Sequence, residues 1–408
     1  MSDRLEGADL VRAAACLVVL GHHLSQRMDW SVRLGPMEWM RVFVQLGGFG
    51  VAMFFVLSGF LLSRPFWQAL DRNEPLPSLR TYAMRRAARI LPGFWLALTV
   101  TFALTITAFG NAPTAALVGR YVAGLLLVAD WHWLTLFPVE VNGPLWSISF
   151  EVTSYALLPL GFIALFALAP RLGGGWRARL AWVGVIAAAL ALHILFTRAF
   201  PPDNHSRGWD YGLIGGAKFW MPDFNPFGFF AMFAIGALAG AAQVRLARWR
   251  APVFDLLAGL ALLAVLALLW WQSRQDNTES YGLLEIPYLF PWFQFAVGAM
   301  LALMPSALRL SAIADNAAIR FLARISFGIY VWHYLVLELA HLWWFPSLGQ
   351  GGMRNPLTFA QACATVLGIS VAIATISYYA MEAPVIRWAR RLERRSSAGT
   401  PTLSPAAG

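Results

Sequence analysis

Charged side chains are scarce in this chain. Asp, Glu, Lys and Arg make up 13% of its 408 residues, whereas hydrophobic residues make up 59%. Soluble globular domains carry about 25% charged residues. The mean hydropathy of +0.59 points the same way. This scarcity of charge excludes a soluble globular protein and indicates an integral membrane protein.

Cysteine is also scarce, and the chain has only two, Cys16 and Cys363. Both fall in apolar runs, so the sequence supports neither a disulfide framework nor a metal cluster, and we expect no metal. A basic start is absent too: Glu6 and Asp9 stand where a signal peptide would be positively charged. We therefore predict that the first apolar segment is a retained helix.

Long apolar runs dominate what remains. A run of about 20 residues crosses the hydrocarbon core of a bilayer. A shorter run at 115–129 carries Arg120 and predicts a partial helix packed against protein rather than lipid. The sequence thus predicts an all-α, polytopic membrane protein with about ten transmembrane helices. They are expected near 8–25, 43–63, 91–109, 145–169, 178–199, 226–242, 253–271, 288–304, 319–342 and 358–380.

The 31 Arg and Lys residues predict the orientation of these helices. Most of them fall in loops that share one side if both termini are cytoplasmic, notably 64–90 and the segment after Glu382. The net charge of +10 indicates contact with anionic membrane lipids, and we expect no nucleic-acid partner. We predict a transmembrane domain over 1–391 and a cytoplasmic, disordered tail over 392–408.

The first predicted helix carries Asp9, Arg12 and His23. Eleven residues separate Arg12 from His23, which places both on one helical face roughly 16 Å apart. An ionisable group inside a spanning helix costs about 2.5 to 3.5 kcal/mol, so it usually faces a site or a partner. Asp9 lies three residues before Arg12 and can neutralise it. The alternatives are a structural ion pair and a hydrogen-bonded core histidine.

A second cluster, Arg86 and Arg89, leads into the third span from the predicted cytoplasmic side. Their spacing puts two guanidinium groups on one face, where they can bind a phosphate-rich ligand. By spacing alone, the bias of arginine toward cytoplasmic loops is the favoured explanation of the pair.

Polar groups recur at the starts and centres of two later spans. Trp146, Ser147 and Glu151 follow Pro144, a pattern that helix capping also explains, and Trp146 suits either a sugar or the membrane interface. The long loop near 200–225 carries Trp209, Tyr211, Lys218 and Trp220, which suit contact with a polar substrate or, as the simpler explanation, a membrane-interface anchor. Ser326, Tyr330 and His333 form a polar stripe that suits either a site or helix-to-helix hydrogen bonds.

Taken in order, these fragments form a pattern. The chain resembles the membrane-bound acyltransferase family 3, whose members O-acylate surface polysaccharides, O-antigens, Nod factors and macrolides. The resemblance covers residues 4 to about 391 and departs from the family's pattern at Leu10, Val11 and Val152. The motifs that carry it are Asp9-x-x-Arg12 with His23, Phe54-Phe55-Val56-Leu57-Ser58-Gly59-Phe60, Arg86-x-x-Arg89, Pro144-Leu145-Trp146-Ser147-x-Ser149-x-Glu151, Ser326-x-x-x-Tyr330-x-x-His333 and Glu382-x-Pro384.

The resemblance implies an O-acetyltransferase in the plasma membrane of a bacterium, with acetyl-CoA or another acyl-CoA as co-substrate and a carbohydrate or glycolipid as acceptor. Arg86 and Arg89 would lie near the phosphates of the donor, and the acyl arm would pass Arg12. His23 would act as general base, and Glu151 would orient His23 or bind acceptor hydroxyls. The remaining motif side chains would support these groups: Asp9, Trp146, Ser147, Ser326, Tyr330 and His333.

Two alternatives stay open at this point. A macrolide or another secondary metabolite is a second acceptor class. A transporter or flippase would also bury polar groups among ten helices, although the sequence shows no internal repeat and no pair of broken spans.

Overall fold

The computed structural model describes residues 5–33, 35–172 and 175–398, and every regular element in these ranges is a helix. The α-helices are α1 (Ala8–Ser25), α2 (Gly47–Asp71), α3 (Leu79–Thr107), α4 (Ala115–Leu125), α5 (Trp146–Leu172), α6 (Gly175–Ala199), α7 (Gly212–Trp220), α8 (Pro226–Leu246), α9 (Pro252–Gln272), α10 (Trp292–Leu303), α11 (Arg309–Ala314), α12 (Ala317–Trp343), α13 (Pro356–Ser377) and α14 (Ala383–Ala398). Short 3₁₀ segments cover Gly35–Gln45, Ala129–Trp131, Gly143–Leu145, Trp209–Tyr211, Leu283–Glu285 and Met304–Ser306, and Tyr378–Glu382 is a π-helix.

Nine helices in the described ranges are long and apolar enough to cross a membrane. Helices satisfy their own backbone hydrogen bonds, which lipid cannot do. The chain is therefore an all-α, polytopic membrane protein, as its composition predicts. The nine are α1, α2, α3, α5, α6, α8, α9, α12 and α13, the last continuing into α14.

The tenth predicted span, 288–304, is a shorter helix than expected. Tyr288 and Leu289 have φ values of 64° and 52°, in the left-handed region, so α10 begins only at Trp292. Its 12 residues extend about 18 Å, well short of a bilayer core of about 30 Å. The apolar run is thus divided between a turn and a helix.

Helix α4 is the partial helix that the sequence predicts. Arg120 is 3% exposed, and its guanidinium donates to the carbonyl oxygens of Phe137 and Val139 and pairs with Glu140. The buried arginine therefore ties α4 to the segment that leads into α5, against protein rather than lipid.

The centre of the bundle is the contact between α2 and α8. A side chain at Gly59 would overlap the carbonyl oxygen of Phe233, and one at Gly236 would overlap that of Val56. Small residues let membrane helices approach this closely. Helix α1 packs between α2 and α12, and this arrangement brings α1 and α12 side by side at the site described below.

The carboxyl-terminal helix extends past residue 391, where the sequence predicts a tail to begin. Helix α14 continues to Ala398, and Glu393 accepts from Nε of Arg85 on α3 at 3.0 Å. This ion pair anchors a segment that composition alone assigns to disorder. Residues 399–408 of the predicted tail lie outside the described residues.

One buried carboxylate outside the spans, that of Asp130, leads to a testable prediction about how stability depends on pH. Asp130 is fully buried, accepts from Thr153 at 2.7 Å, and has a second carboxylate oxygen without a partner. Burial raises its pKa from 3.8 to about 6. Between these values the folded state binds more protons, so the free energy of unfolding falls as pH rises, by up to about 3 kcal/mol.

We expect Asp130→Asn to remove the loss of stability at higher pH, because the amide oxygen still accepts from Thr153 and the amide does not ionise. The melting temperature of the purified variant should exceed that of the wild type at pH 8 and match it near pH 4. If the wild type had the higher melting temperature at pH 8, ionisation of Asp130 would not be the cause of the pH dependence.

Both termini remain predicted to be cytoplasmic, and cysteine labelling tests this. Glu74 follows α2 and Asp210 precedes α7, and both are exposed. With an impermeant thiol reagent on intact cells, we expect Asp210→Cys to react and Glu74→Cys to be shielded. The wild type, which retains Cys16 and Cys363, supplies the background. Labelling of Glu74→Cys from outside would invert the topology.

Candidate active site

A wide, basic cavity opens at the end of the bundle where α3 begins. Its volume is 770 Å³, and Asp9 and Glu393 are its only acidic lining residues in the described chain. We call it the inner cavity. Its walls carry seven arginines: Arg12, Arg85, Arg86, Arg89, Arg320, Arg324 and Arg390. The fold thus brings together Arg12, Arg86 and Arg89, which the sequence singles out from separate helices.

The three predicted arginines are held differently. Arg12 lies 3.4 Å from Asp9, which confirms the predicted ion pair. Arg89 lies 3.7 Å from Glu382, a carboxylate only 1% exposed whose oxygens have no hydrogen-bond partner. Arg86 has no carboxylate within 4.0 Å among the described side chains and faces the cavity.

Glu382 belongs to the motif Glu382-x-Pro384, for which the sequence suggests no role. In the structure it ends the π-helix Tyr378–Glu382, and π-helical turns often occur at functional sites. Its carboxylate lies next to Arg89 but does not line the inner cavity. Glu382 is thus a positioning residue for one arginine of the pair.

A narrow cavity of 90 Å³ continues inward from these arginines, and we call it the middle cavity. Arg12, Arg86 and Arg89 line both spaces. Glu151 faces the middle cavity, where it accepts hydrogen bonds from Ser58 at 2.9 Å and from Tyr155. Ser147, Ser326 and Tyr330 share its walls, as does Phe54.

A third space, the outer cavity, has a volume of 70 Å³ and lies at the far end of α1. His23, His22 and Trp146 line it, and Val51 and Tyr330 border both it and the middle cavity. The Tyr330 hydroxyl lies 2.6 Å from Ser147 Oγ and donates to the carbonyl of Pro144 at 3.0 Å. Three adjoining cavities therefore follow the face of α1 from Arg12 to His23.

His23 is fixed by a residue that the sequence analysis did not select. Its Nδ1 lies 3.3 Å from Oε1 of Gln26, which accepts the imidazole hydrogen. This tautomer leaves a lone pair on Nε2. Glu151, expected to orient His23, instead bonds Ser58 and Tyr155 in the middle cavity.

His333 stacks on His23 with ring centroids 5.3 Å apart. Its Nδ1 faces the carbonyl oxygens of Ile329 and Tyr330, at 3.0 and 2.8 Å, and therefore carries the hydrogen. His22 also lines the outer cavity, but its Nδ1 is bonded to the carbonyl of Phe43 at 3.1 Å. Of the three residues, His23 alone is partly exposed, whereas His22 and His333 are buried.

Trp146 is buried, which excludes a role as a membrane-interface anchor. Its ring contacts Trp220 at 5.1 Å, and both indoles line the outer cavity with Glu279 and Tyr288. The sequence left the loop containing Trp220 open between substrate contact and interface anchoring, and it did not single out Glu279. Glu279 is one of three acids in the irregular segment between α9 and α10, and no helical period distinguishes it from Asp276 or Glu285, so only the fold reveals its position.

The described residues contain no group of three His, Cys, Asp or Glu side chains that could hold a metal ion. The cavities combine an imidazole at one end with seven arginines at the other, joined by a narrow passage. Comparison with known proteins shows which reaction class uses this pattern. The sequence model described as "Acyltransferase domain" matches residues 5–375.

The chain belongs to the membrane-bound acyltransferase family 3. It is 24% identical to Acyltransferase MdmB of Streptomyces mycarofaciens, over 99% of this chain and 97% of that protein. Nodulation protein 10 of Rhizobium leguminosarum bv. viciae is 25% identical over 81% of this chain and 82% of its own length. Putative peptidoglycan O-acetyltransferase YrhL of Bacillus subtilis is 24% identical over 93% of this chain and 55% of its own length. No solved structure matches this chain.

This family 3 member is thus a membrane acyltransferase. The family pattern accounts for Arg12, His23, Arg86, Arg89 and Glu151, which line the three cavities. Trp220, Gln26 and Glu279 lie at the same site without being part of the motifs that identified the family.

Proposed function

We propose that this acyltransferase moves an acyl group, most simply acetyl, from cytoplasmic acyl-CoA to a hydroxyl of a carbohydrate or glycolipid at the opposite face of a bacterial plasma membrane. The observation that carries the proposal is the line of cavities along α1, with arginines at one end and His23 at the other. The name of the relative YrhL, a putative peptidoglycan O-acetyltransferase, supports a glycan acceptor.

The inner cavity fits the donor. Its 770 Å³ lies within the range of about 300 to 1,000 Å³ typical of small-molecule sites. Its arginines suit the phosphates of a nucleotide-like group, since a guanidinium binds phosphate oxygens in pairs. Arg86 is available for such contacts, and Glu382 holds Arg89 in place.

The middle cavity suits the extended arm of the thioester. Arg12 and His23 lie roughly 16 Å apart along α1, so only a long, slender group could reach from one to the other. The 90 Å³ passage excludes bulky groups, and Glu151 organises its wall through Ser58 and Tyr155. The phosphates would therefore stay at the inner end while the acyl carbon approaches His23.

His23 supplies the base. As the acceptor oxygen forms a bond to the acyl carbon, His23 Nε2 takes the hydroxyl proton. The carbon–sulfur bond breaks, and the sulfur leaves with the proton that His23 returns. Gln26 holds the Nδ1 hydrogen throughout, so Nε2 remains the basic atom.

The general-base role predicts a large effect at one histidine. We expect His23→Ala to lower transfer of labelled acetyl from acetyl-CoA by about 10² to 10⁴-fold while the protein still inserts. His22→Ala should lose much less, because the His22 ring is held by the carbonyl of Phe43. Purified protein in vesicles, matched for inserted amount, supplies the assay.

Equal losses in the two histidine variants would remove the base assignment. If the wild type transfers acetyl to no glycan acceptor, the proposed function itself is contradicted. A flippase would give that result.

A second prediction separates phosphate binding from topology. Arg86→Lys and Arg89→Lys keep the charge but lose the paired geometry of guanidinium. We expect each to raise the KM for acetyl-CoA about 5- to 30-fold, equivalent to about 1 to 2 kcal/mol, with kcat nearly unchanged. The acceptor KM should not move.

Arg80→Lys is the matched control, since Arg80 is exposed on the same helix and lies outside the cavity lining. Steady-state titration of each substrate gives the constants. If both cavity variants have wild-type kinetic constants, Arg86 and Arg89 do not bind the donor, and the bias of arginine toward cytoplasmic loops explains them.

A further inference from the structure

We propose that the outer cavity recognises an acceptor that carries a protonated amine beside the hydroxyl to be acylated, and that Glu279 binds this ammonium group. The inference rests on the proposed function for the position of acyl transfer. It adds a recognition residue, and it narrows the acceptor to amino sugars and related amino alcohols.

Glu279 is a buried carboxylate at the outer cavity. It is 6% exposed and lies in the segment between α9 and α10. One oxygen, Oε1, accepts from the indole of Trp220 at 2.9 Å and from the hydroxyl of Thr278 at 2.8 Å. These two neutral donors hold the carboxylate toward the cavity without neutralising its charge.

No basic side chain of the described chain lies within 4.0 Å of this carboxylate. The two nearby cations on the 200–225 loop are engaged elsewhere. Lys218 pairs with Asp203 at 2.7 Å, and Arg207 donates to the carbonyl oxygens of Lys218 and Phe219. Because a buried charge is costly without a partner, a cationic ligand would be stabilised here.

Aromatic rings surround the same space. Trp146, Trp220, Tyr288 and Tyr330 all line the outer cavity. The face of an aromatic ring attracts a cation, and rings combined with a carboxylate form the usual environment for ammonium recognition. Burial, followed by the Glu279 charge, raises the pKa of Tyr288, so its phenol stays neutral beside the carboxylate.

The two ends of the passage therefore have opposite character. The inner cavity carries seven arginines, whereas Glu279 is the only acid and no Arg or Lys appears among the outer-cavity residues described. This asymmetry favours an anionic donor at one end and a cationic acceptor at the other. It also disfavours an acceptor that carries phosphate or carboxylate next to its reactive hydroxyl.

The size of the outer cavity places the amine close to the hydroxyl. A space of 70 Å³ admits the reacting edge of a molecule rather than a complete ring system, and both His23 and Glu279 line it. An amine held as an ammonium ion has no lone pair, so it does not compete for the acyl carbon. The acyl group therefore goes to oxygen, and the amine serves only recognition.

Two probes that differ in one group test the proposal: methyl glucosaminide and methyl glucoside, at a slightly acidic pH where the amine is protonated. Their binding to the purified full-length protein is followed by the fluorescence of the tryptophans, with no acetyl-CoA present. We expect the aminosugar to bind the wild type at least about tenfold more tightly than the glucoside, as for a hydrogen bond to a charged group.

Glu279→Gln should abolish this preference, and binding of the glucoside should stay the same. The amide oxygen of glutamine still accepts from Trp220 and Thr278, so the cavity wall is retained. Asp276→Asn is the matched control, because Asp276 is an exposed acid three residues earlier that does not line the cavity. It should bind both probes as the wild type does.

Equal binding of the two probes by the wild type, or failure of the aminosugar to bind, would overturn the amine assignment. A preference that survives Glu279→Gln would overturn the role of Glu279. Acetyl transfer is measured separately. If the protein prefers the aminosugar but transfers no acetyl group, the proposed function is contradicted and the recognition site stands. If it transfers acetyl but binds both probes equally, the recognition site is contradicted and the proposed function stands.

Discussion

The cost of placing an ionised side chain inside a membrane governs this structure. Arg12, Arg120 and Arg179 all lie within or beside apolar helices, and each is compensated by a carboxylate, a carbonyl oxygen or an open cavity. Where compensation is complete, as for Arg179 between Asp71 and the carbonyl of Ala241, the residue is structural. Where it is incomplete, the residue lines a cavity.

Access to a cavity separates two histidines on α1 and α12, each bonded at Nδ1 only. His333 is 1% exposed, its Nδ1 faces two backbone carbonyls, and its Nε2 is buried without a partner, so it supports its neighbour. His23 has its Nδ1 bonded to Gln26 and borders the outer cavity. Stacking of the two rings at 5.3 Å makes the buried histidine a rigid platform for the accessible one. The packing of α1 against α12 thereby restricts the His23 ring to one orientation.

Helical periodicity predicted the parts of the site that lie on long helices. A fixed rise and turn per residue place Arg12 and His23 on one face, and the same rule gives the stripe of Ser326, Tyr330 and His333. Their roles followed from resemblance and not from spacing, because each pattern also suits a structural explanation. The residues on spans thus carry a positional signal even before the fold is known.

The residues whose place in the site sequence reasoning could not give lie elsewhere. Glu279 belongs to the irregular segment between α9 and α10, where no period links a residue to a neighbour in space, and Trp220 ends the short helix α7. Gln26 lies just beyond the end of α1, and Glu382 lies in a π-helical turn that shifts the helical register. The late start of α10 depends on left-handed backbone at Tyr288 and Leu289, which neither residue type favours. In each case long-range packing decides the position.

The narrow middle cavity also has an electrical consequence for the cell that holds this protein. A passage joining an aqueous surface to a site deep in the bundle threatens the ion gradients across the membrane. Its 90 Å³ holds only about three water molecules, and Tyr330 stands between it and the outer cavity. A hydrated ion would have to shed most of its water to enter so small a space, and a cation would do so beside the positive charges of Arg12, Arg86 and Arg89. A passage this narrow, with three arginines in its wall, is therefore a barrier to cations even though it connects the inner cavity with the interior of the bundle.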